Sequence, residues 1–116
     1  MAAEKNFENR VKGFLKEQGC WFVKYWGGGG FTKAGIPDLL ACCNGWFLGV
    51  ELKAPKGKPS ELQLWNLVKI DDGGGFGWLL YPDKFDDFKQ FVMLLKQGLT
   101  VNAWNIYYEK RGWEEV

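Results

Sequence analysis

The stretch GIPDLLACCNGWFLGVELK, residues 35–53, decides the fold, because it predicts a β-hairpin that carries two carboxylates. Asn44-Gly45 between two apolar, β-favouring runs is typical of a type I′ turn, which needs two residues that tolerate positive φ. If these two residues form the whole loop, counting outward along the ladder places Asp38 opposite Glu51. The hairpin therefore predicts two acids facing each other at one end of the sheet.

These paired acids need a cation beside them. Directly opposed side chains in an antiparallel pair lie roughly 4.5–5.5 Å apart at Cβ, and like charges in such a pair destabilise the sheet. Lys53 follows Glu51 by two residues and so lies on the same face of its strand. A structural ion pair of Lys53 with one acid is one interpretation, but it leaves the second acid uncompensated. A divalent metal between the carboxylates is the other interpretation.

The hairpin strands are apolar on both faces, which predicts a central pair covered on each side. At 116 residues the chain is predicted to form one domain over 1–116. A net charge of +1 does not by itself indicate a nucleic-acid binder, and the absence of histidine excludes histidine bases and histidine-ligated zinc. With no membrane-length apolar run and no signal-peptide pattern, an intracellular, cytoplasmic protein is expected.

The remaining elements are predicted from periodicity and from cap residues. We expect a helix over 4–18, a strand over 20–26, a helix opened by Ser60, a strand over 76–81 and a helix over 84–96. Glu8 borders the apolar stripe of the first helix, either as an acid that complements the helix dipole or as a side chain aimed at the hairpin. Gln63 fits a capping box with Ser60. The aromatic tail, 97–116, predicts either one more strand or a dimer interface.

A glycine-rich loop precedes the hairpin. Gly27 to Gly30 break the first strand and lead through Phe31 and Thr32 to Lys33. The loop does not match a phosphate-binding P-loop, because the Gly-Lys-Ser/Thr ending is missing. It is either a plain connector or a mobile loop that carries a lysine over a substrate.

The order of elements and the charged positions resemble the viral-type replication and repair nuclease domain, VRR-NUC, of the PD-(D/E)xK nuclease superfamily. The residues that carry the resemblance are Gly35 to Leu40, Gly45, Glu51-Leu52-Lys53, Gly57-Lys58 and Ser60 to Gln63, with Glu8 on the leading helix. The resemblance spans residues 4–96. It implies an α/β fold with a restriction-endonuclease-like α-β-β-β-α-β core, in which helices flank a mixed central sheet.

The resemblance also implies Mg²⁺-dependent hydrolysis of phosphodiester bonds, with Mn²⁺ as a substitute. Its catalytic residues would be Asp38, Glu51, Lys53, Gln63 and Glu8. Asp38 and Glu51 would be the primary metal ligands, joined by the backbone carbonyl of Leu52 and by Glu8, directly or through water, since Mg²⁺ prefers oxygen ligands. Lys53 would orient the attacking water or stabilise charge in the transition state; as a base it would need a strongly lowered pKa.

Four lysines are the candidates for DNA phosphate contacts: Lys24, Lys33, Lys56 and Lys58. Phosphate contacts position a backbone without reading its sequence. We therefore expect structure-selective cleavage of DNA in replication, recombination or repair, in a virus or its host, and Holliday junctions are the nearest analogy within the resembled family. Symmetrical cutting would require a C2 homodimer. The alternatives are a catalytically inactive nuclease fold that binds nucleic acid and an interaction module with a buried ion network.

Overall fold

The structure, a computed structural model, describes residues 2–27 and 33–113. Its elements in chain order are α1 (Ala2–Glu17), β1 (Trp21–Lys24), β2 (Leu39–Cys43), β3 (Trp46–Leu52), α2 (Glu61–Asp72), β4 (Phe76–Leu80), a 3₁₀ turn (Pro82–Lys84), α3 (Phe85–Lys96) and α4 (Thr100–Lys110). The predicted α-β-β-β-α-β order is confirmed. None of the described helices is both long and apolar enough to cross a membrane.

The four strands form one mixed sheet in the order β1-β2-β3-β4. The first three strands are antiparallel, whereas β4 runs parallel to β3 because α2 carries the chain back across the sheet. Asn44 and Gly45 have φ values of 53° and 87°, as a type I′ turn requires. The β2–β3 ladder runs from Cys43↔Trp46 to Leu39↔Val50, so the register predicted from the two-residue turn is confirmed.

Helices α1, α3 and α4 contribute to the main core on one face of the sheet. Phe7 and Phe14 of α1 make edge-to-face contacts with Phe85 of α3, and Trp78 of β4 makes such contacts with Phe88 and with Tyr107 of α4. These side chains are buried. The same helix, α1, carries Glu8 toward the start of β2, so the core that fixes α1 also fixes the position of that carboxylate.

The other face of the sheet is covered only in part. Glycines let α2 approach β3 and β4 closely: a Cβ at Gly49 would lie 2.5 Å from Ile70, and one at Gly77 would lie 2.5 Å from the Leu67 carbonyl oxygen. Over β1 and β2 this face is exposed. Its exposed side chains, which we call the open sheet face, are Trp21, Val23, Cys42 and Phe47. The prediction that the hairpin is covered on both faces is therefore confirmed only in part, because α2 covers β3 at Gly49 whereas Cys42 and Phe47 are exposed.

Within the tail, Thr100–Lys110 forms helix α4, so the extra strand predicted within 97–116 is wrong for this segment. Ala103 and Tyr107 are both buried, and their four-residue spacing belongs to one face of α4. The Tyr107 hydroxyl donates to Asp71 at 2.8 Å and accepts from the Gly77 amide at 3.0 Å. These two bonds tie α4 to α2 and β4. The dimer-interface alternative and the single-domain assignment both stay predictions.

Residues after α4 run beside the outer edge of β4. The Leu79 amide donates to the Arg111 carbonyl oxygen at 2.9 Å, and the Trp113 indole donates to the Gly77 carbonyl oxygen at 2.6 Å. The tail thereby satisfies backbone groups that an edge strand would otherwise present to solvent. Residues 114–116 lie outside the described part of the chain.

Candidate active site

Asp38 and Glu51 meet where the hairpin strands end. Asp38 directly precedes β2, and its Oδ2 accepts a 2.9 Å hydrogen bond from the amide of Leu52, the last residue of β3. Its carbonyl oxygen accepts from the Tyr25 amide at 2.8 Å, so the backbone is held by β1 as well. Asp38 lies one position beyond the paired ladder and is fixed from both neighbouring strands.

The Glu51 carboxylate is buried, with only 4% of its side chain exposed. Its Oε2 lies 3.4 Å from the Lys53 ammonium, whereas Oε1 is buried and accepts no hydrogen bond from any described residue. Burial raises the pKa of Glu51 to about 7, and the negative charge of Asp38 adds to this effect. Lys53 lowers the pKa only in part. A buried carboxylate oxygen without a donor is costly and requires a further cation or proton.

Glu8 is held by lysines. Its Oε1 lies 2.7 Å from Lys24, and its Oε2 lies 2.9 Å from Lys12 and 3.4 Å from Lys5. Burial acts to raise the pKa of Glu8, but the hydrogen bonds and charges of Lys12 and Lys24 outweigh it and bring this pKa to about 2. Glu8 is therefore an ionised, neutralised carboxylate, unlike Glu51.

Lys24 connects Glu8 to the hairpin acids, because its ammonium also lies 3.7 Å from Asp38 Oδ1. Burial opposes the charge on Lys24, but the bond to Glu8 and the charges of Asp38 and Glu51 outweigh it and raise the lysine pKa above its usual value. The sequence predicted Lys24 as a phosphate contact. The structure places it inside the site as a bridge between two acids, and its contact with DNA stays a prediction.

The residues present fit a hard divalent cation. Two carboxylates with an unpartnered buried oxygen, next to the backbone of Leu52, are the oxygen donors that such an ion takes while it keeps several waters. Within residues 2–27 and 33–113, however, no group of three or more acids, cysteines or histidines is placed to hold a metal. The structure therefore does not bring Glu8 into a common cluster with the other two acids, and its role as a ligand stays a prediction.

Gln63 forms the predicted capping box at the start of α2. Its side-chain oxygen accepts from the Ser60 backbone amide at 2.8 Å, and its backbone amide donates to the Ser60 hydroxyl at 3.1 Å. This arrangement accounts for Gln63 as a helix cap. Its assignment to the catalytic site stays a prediction.

The other candidate lysines are exposed. Lys56 and Lys58 lie on the loop after β3 and line a groove of about 680 Å³. The Tyr81 hydroxyl donates to the Gly57 carbonyl oxygen at 2.9 Å and so fixes this loop. Lys33 is exposed, and its backbone amide donates to the Tyr25 hydroxyl at 2.9 Å. The glycine-rich loop itself, residues 28–32, lies outside the described residues.

Three basic residues near the site were not singled out from the sequence. Lys5 and Lys12 stand three residues before and four after Glu8, and this helical spacing was a readable signal for the ion pairs observed. Arg10 lines a cavity of about 240 Å³ together with Lys53. No pattern in the sequence connects Arg10 to Lys53, because only the packing of α1 against the loop after β3 brings them together.

Two carboxylates and a lysine at adjoining strand ends, on this mixed sheet, define a nuclease of the PD-(D/E)xK type. The model of the archaeal Holliday junction resolvase (Hjc) family matches residues 2–70, more than half of the chain. The chain belongs to that family. Membership makes it a divalent-metal-dependent, structure-selective endonuclease that cleaves junctions in DNA. This match does not identify the chain as a VRR-NUC domain.

A solved structure supports the fold. Hjc of Archaeoglobus fulgidus, described as a Holliday junction resolvase from an archaeal hyperthermophile, superposes with a TM-score of 0.51 and 23% sequence identity. The match covers 67% of this chain and 69% of that one. A comparison with curated proteins finds no match.

The raised pKa of Glu51 predicts a pH-dependent stability for the metal-free protein. Because this pKa rises from 4.5 to about 7 on folding, the folded state retains a proton that the unfolded state releases. The stability that this proton contributes is complete below the unfolded pKa and is lost as pH rises through the folded pKa, between pH 4.5 and about 7. Its size is on the order of 3 kcal/mol, since one pKa unit corresponds to about 1.4 kcal/mol.

Urea unfolding in the presence of a chelator checks this prediction. As pH rises through that window, the free energy of unfolding should fall more for the wild type than for Glu51→Gln. Asp86→Asn is the control, because the Asp86 side chain is 96% exposed and forms a surface ion pair with Lys89. Parallel stability curves for the wild type and Glu51→Gln would contradict the assigned pKa.

Proposed function

We propose that this endonuclease uses Mg²⁺, with Mn²⁺ as a substitute, and that the Asp38–Glu51 pair holds the ion. The observation that carries the proposal is the buried Oε1 of Glu51, which has no donor among the described residues although Asp38 adds a second negative charge beside it. A hard cation would satisfy both needs. The backbone carbonyl of Leu52 would supply a third oxygen.

The roles of the side chains follow from their positions. When bound, a divalent cation lowers the pKa of a coordinated water and offsets negative charge on the phosphate. Asp38, whose Oδ2 is fixed by the Leu52 amide, would present its carboxylate to the ion. Lys53, already 3.4 Å from Glu51, would orient the attacking water or stabilise charge on the scissile phosphate. Lys24 would hold Asp38 in place while Glu8 balances the charge of Lys24.

Positively charged side chains around the site would position the DNA backbone. Lys56 and Lys58 stand on a loop that Tyr81 fixes beside Lys53, and Lys33 is exposed near Tyr25. Contacts of this kind neutralise phosphates and carry no sequence information. This arrangement supports selection of DNA by shape. A relationship to VRR-NUC domains within the same superfamily remains part of this proposal, carried by the Gly-Ile-Pro-Asp and Glu-Leu-Lys motifs.

Single substitutions at the two acids test the metal site. Asp38→Ala and Glu51→Ala should each lower the rate of four-way junction cleavage in Mg²⁺ by at least 100-fold, because each removes an oxygen donor at the place where the phosphate must be polarised. Omission of the metal should abolish cleavage, and Mn²⁺ should restore it. The measurement is a cleavage time course on labelled junction and linear duplex under single-turnover conditions.

Asp86→Ala is the matched control, since it removes an exposed carboxylate with one surface partner. Cleavage that survives both site substitutions would come from a contaminant and would remove the proposal. Metal-independent binding without any cleavage would instead favour the catalytically inactive nucleic-acid-binding module.

We also propose that the active form is a C2 homodimer that pairs through the open sheet face. Two cuts related by symmetry need two copies of the site in a fixed relation. Trp21, Cys42 and Phe47 lie in one row across β1, β2 and β3, and all three are exposed. The family match spans residues 2–70. The open sheet face lies within the match, whereas α4 does not.

The association state of two variants tests this surface. Phe47→Asp places a charge in the middle of the open sheet face and should convert a dimer into a monomer at micromolar concentration. Val101→Asp places the same charge on α4, where Val101 is 75% exposed, and should leave the dimer intact. Sedimentation velocity measures both. Dissociation by the Val101 substitution alone would move the interface to the tail, and a monomeric wild type would remove the dimer.

A further inference from the structure

We propose that Trp26 is a stacking platform for an unpaired nucleobase at the branch point of the bound DNA. This inference rests on the proposed function, because it assigns a subsite beside the same carboxylates. It assigns selectivity for branched over linear DNA to one aromatic side chain.

Trp26 lies next to the lysine that contacts Glu8 and Asp38. Its ring centroid lies 5.5 Å from the Lys24 ammonium, which is itself 2.7 Å from Glu8 and 3.7 Å from Asp38. The preceding residue, Tyr25, donates its amide to the Asp38 carbonyl oxygen at 2.8 Å. Trp26 is thus one residue beyond a backbone bond to the catalytic aspartate, and its ring is held by the lysine that bridges the two acids.

The indole is also available to a ligand. Trp26 is 70% exposed, although large aromatic side chains usually bury much of their apolar surface. Trp26 follows β1 by two residues, at the end of that strand where the Lys24 ammonium approaches Asp38. Trp21 lies at the opposite end of β1, on the open sheet face. Of these two exposed tryptophans, Trp26 is the one near the site.

The surroundings of Trp26 fit a nucleotide. Base–aromatic stacking accepts any base, because every base has a π-face, and it is usually combined with positive charge along the backbone. Lys24 supplies charge beside the ring, and the backbone amide of the exposed Lys33 donates to the hydroxyl of the neighbouring Tyr25. Bases inside a linear duplex are already stacked on their neighbours and cannot offer a face. Bases at a branch point can, so this contact discriminates between the two DNA structures.

The test uses four-way junctions that carry 2-aminopurine next to the branch point, in a chelator so that no cleavage occurs. Wild-type protein should change the 2-aminopurine fluorescence on binding. Trp26→Ala should lose this change and bind the junction about 10-fold more weakly, which is the size of one base–aromatic stack, while its affinity for linear duplex stays within about twofold. Trp26→Phe should retain most of both effects.

Trp65→Ala is the matched control, because Trp65 is 55% exposed and also has a lysine, Lys69, 5.5 Å from its ring centroid, but lies on α2. It should behave as wild type. Equal weakening of junction and duplex binding by Trp26→Ala, or no weakening at all, would overturn the assignment. So would a wild type that binds both DNAs equally. If the wild type and the variants show these binding differences but the wild type shows no metal-dependent cleavage, only the proposed function is overturned.

Discussion

The burial of the Glu51 carboxylate against Asp38 is the constraint on which the site depends. Removing a charge from water is expensive, and placing a second acid beside it adds repulsion. The Lys53 ammonium, 3.4 Å away, compensates only one oxygen, and the other has no donor among the described residues. The two-residue turn at Asn44-Gly45 enforces this arrangement, because it fixes the register that brings the strand ends together. The fold therefore holds a buried carboxylate, Glu51, whose negative charge Lys53 compensates only in part.

Glu8 and Glu51 show how one small site treats two glutamates differently. Lysines surround Glu8 and keep its pKa near 2, whereas burial raises that of Glu51 to about 7. Lys24 joins the two environments, since it contacts Glu8 and lies near Asp38. Helix α1 thus contributes the ionised carboxylate of Glu8, which holds the Lys24 ammonium in place. The raised pKa of Glu51 lets its carboxyl group change charge near neutral pH.

The parts of the molecule that could be predicted from sequence are those set by local chemistry. The hairpin register followed from Asn44-Gly45, and the cap of α2 followed from Ser60 and Gln63. The helical tail was not predicted, because its aromatic residues satisfy both a strand pattern and a helical one until Tyr107 is seen to pack on β4. The Glu8–Lys24 bridge joins residues 16 apart and depends on how α1 docks. The extent of the open sheet face depends on which strands α2 covers, and no local sequence pattern determines this.

The most direct measurement is the anomalous diffraction of crystals soaked in Mn²⁺. An ion held by the hairpin should give a peak within direct coordination distance of the Asp38 and Glu51 carboxylates, with the Leu52 carbonyl oxygen among its ligands. The peak should vanish in Glu51→Gln crystals grown in the same form. A wild-type crystal with no peak between these carboxylates, or with the only peak elsewhere on the chain, would contradict the account.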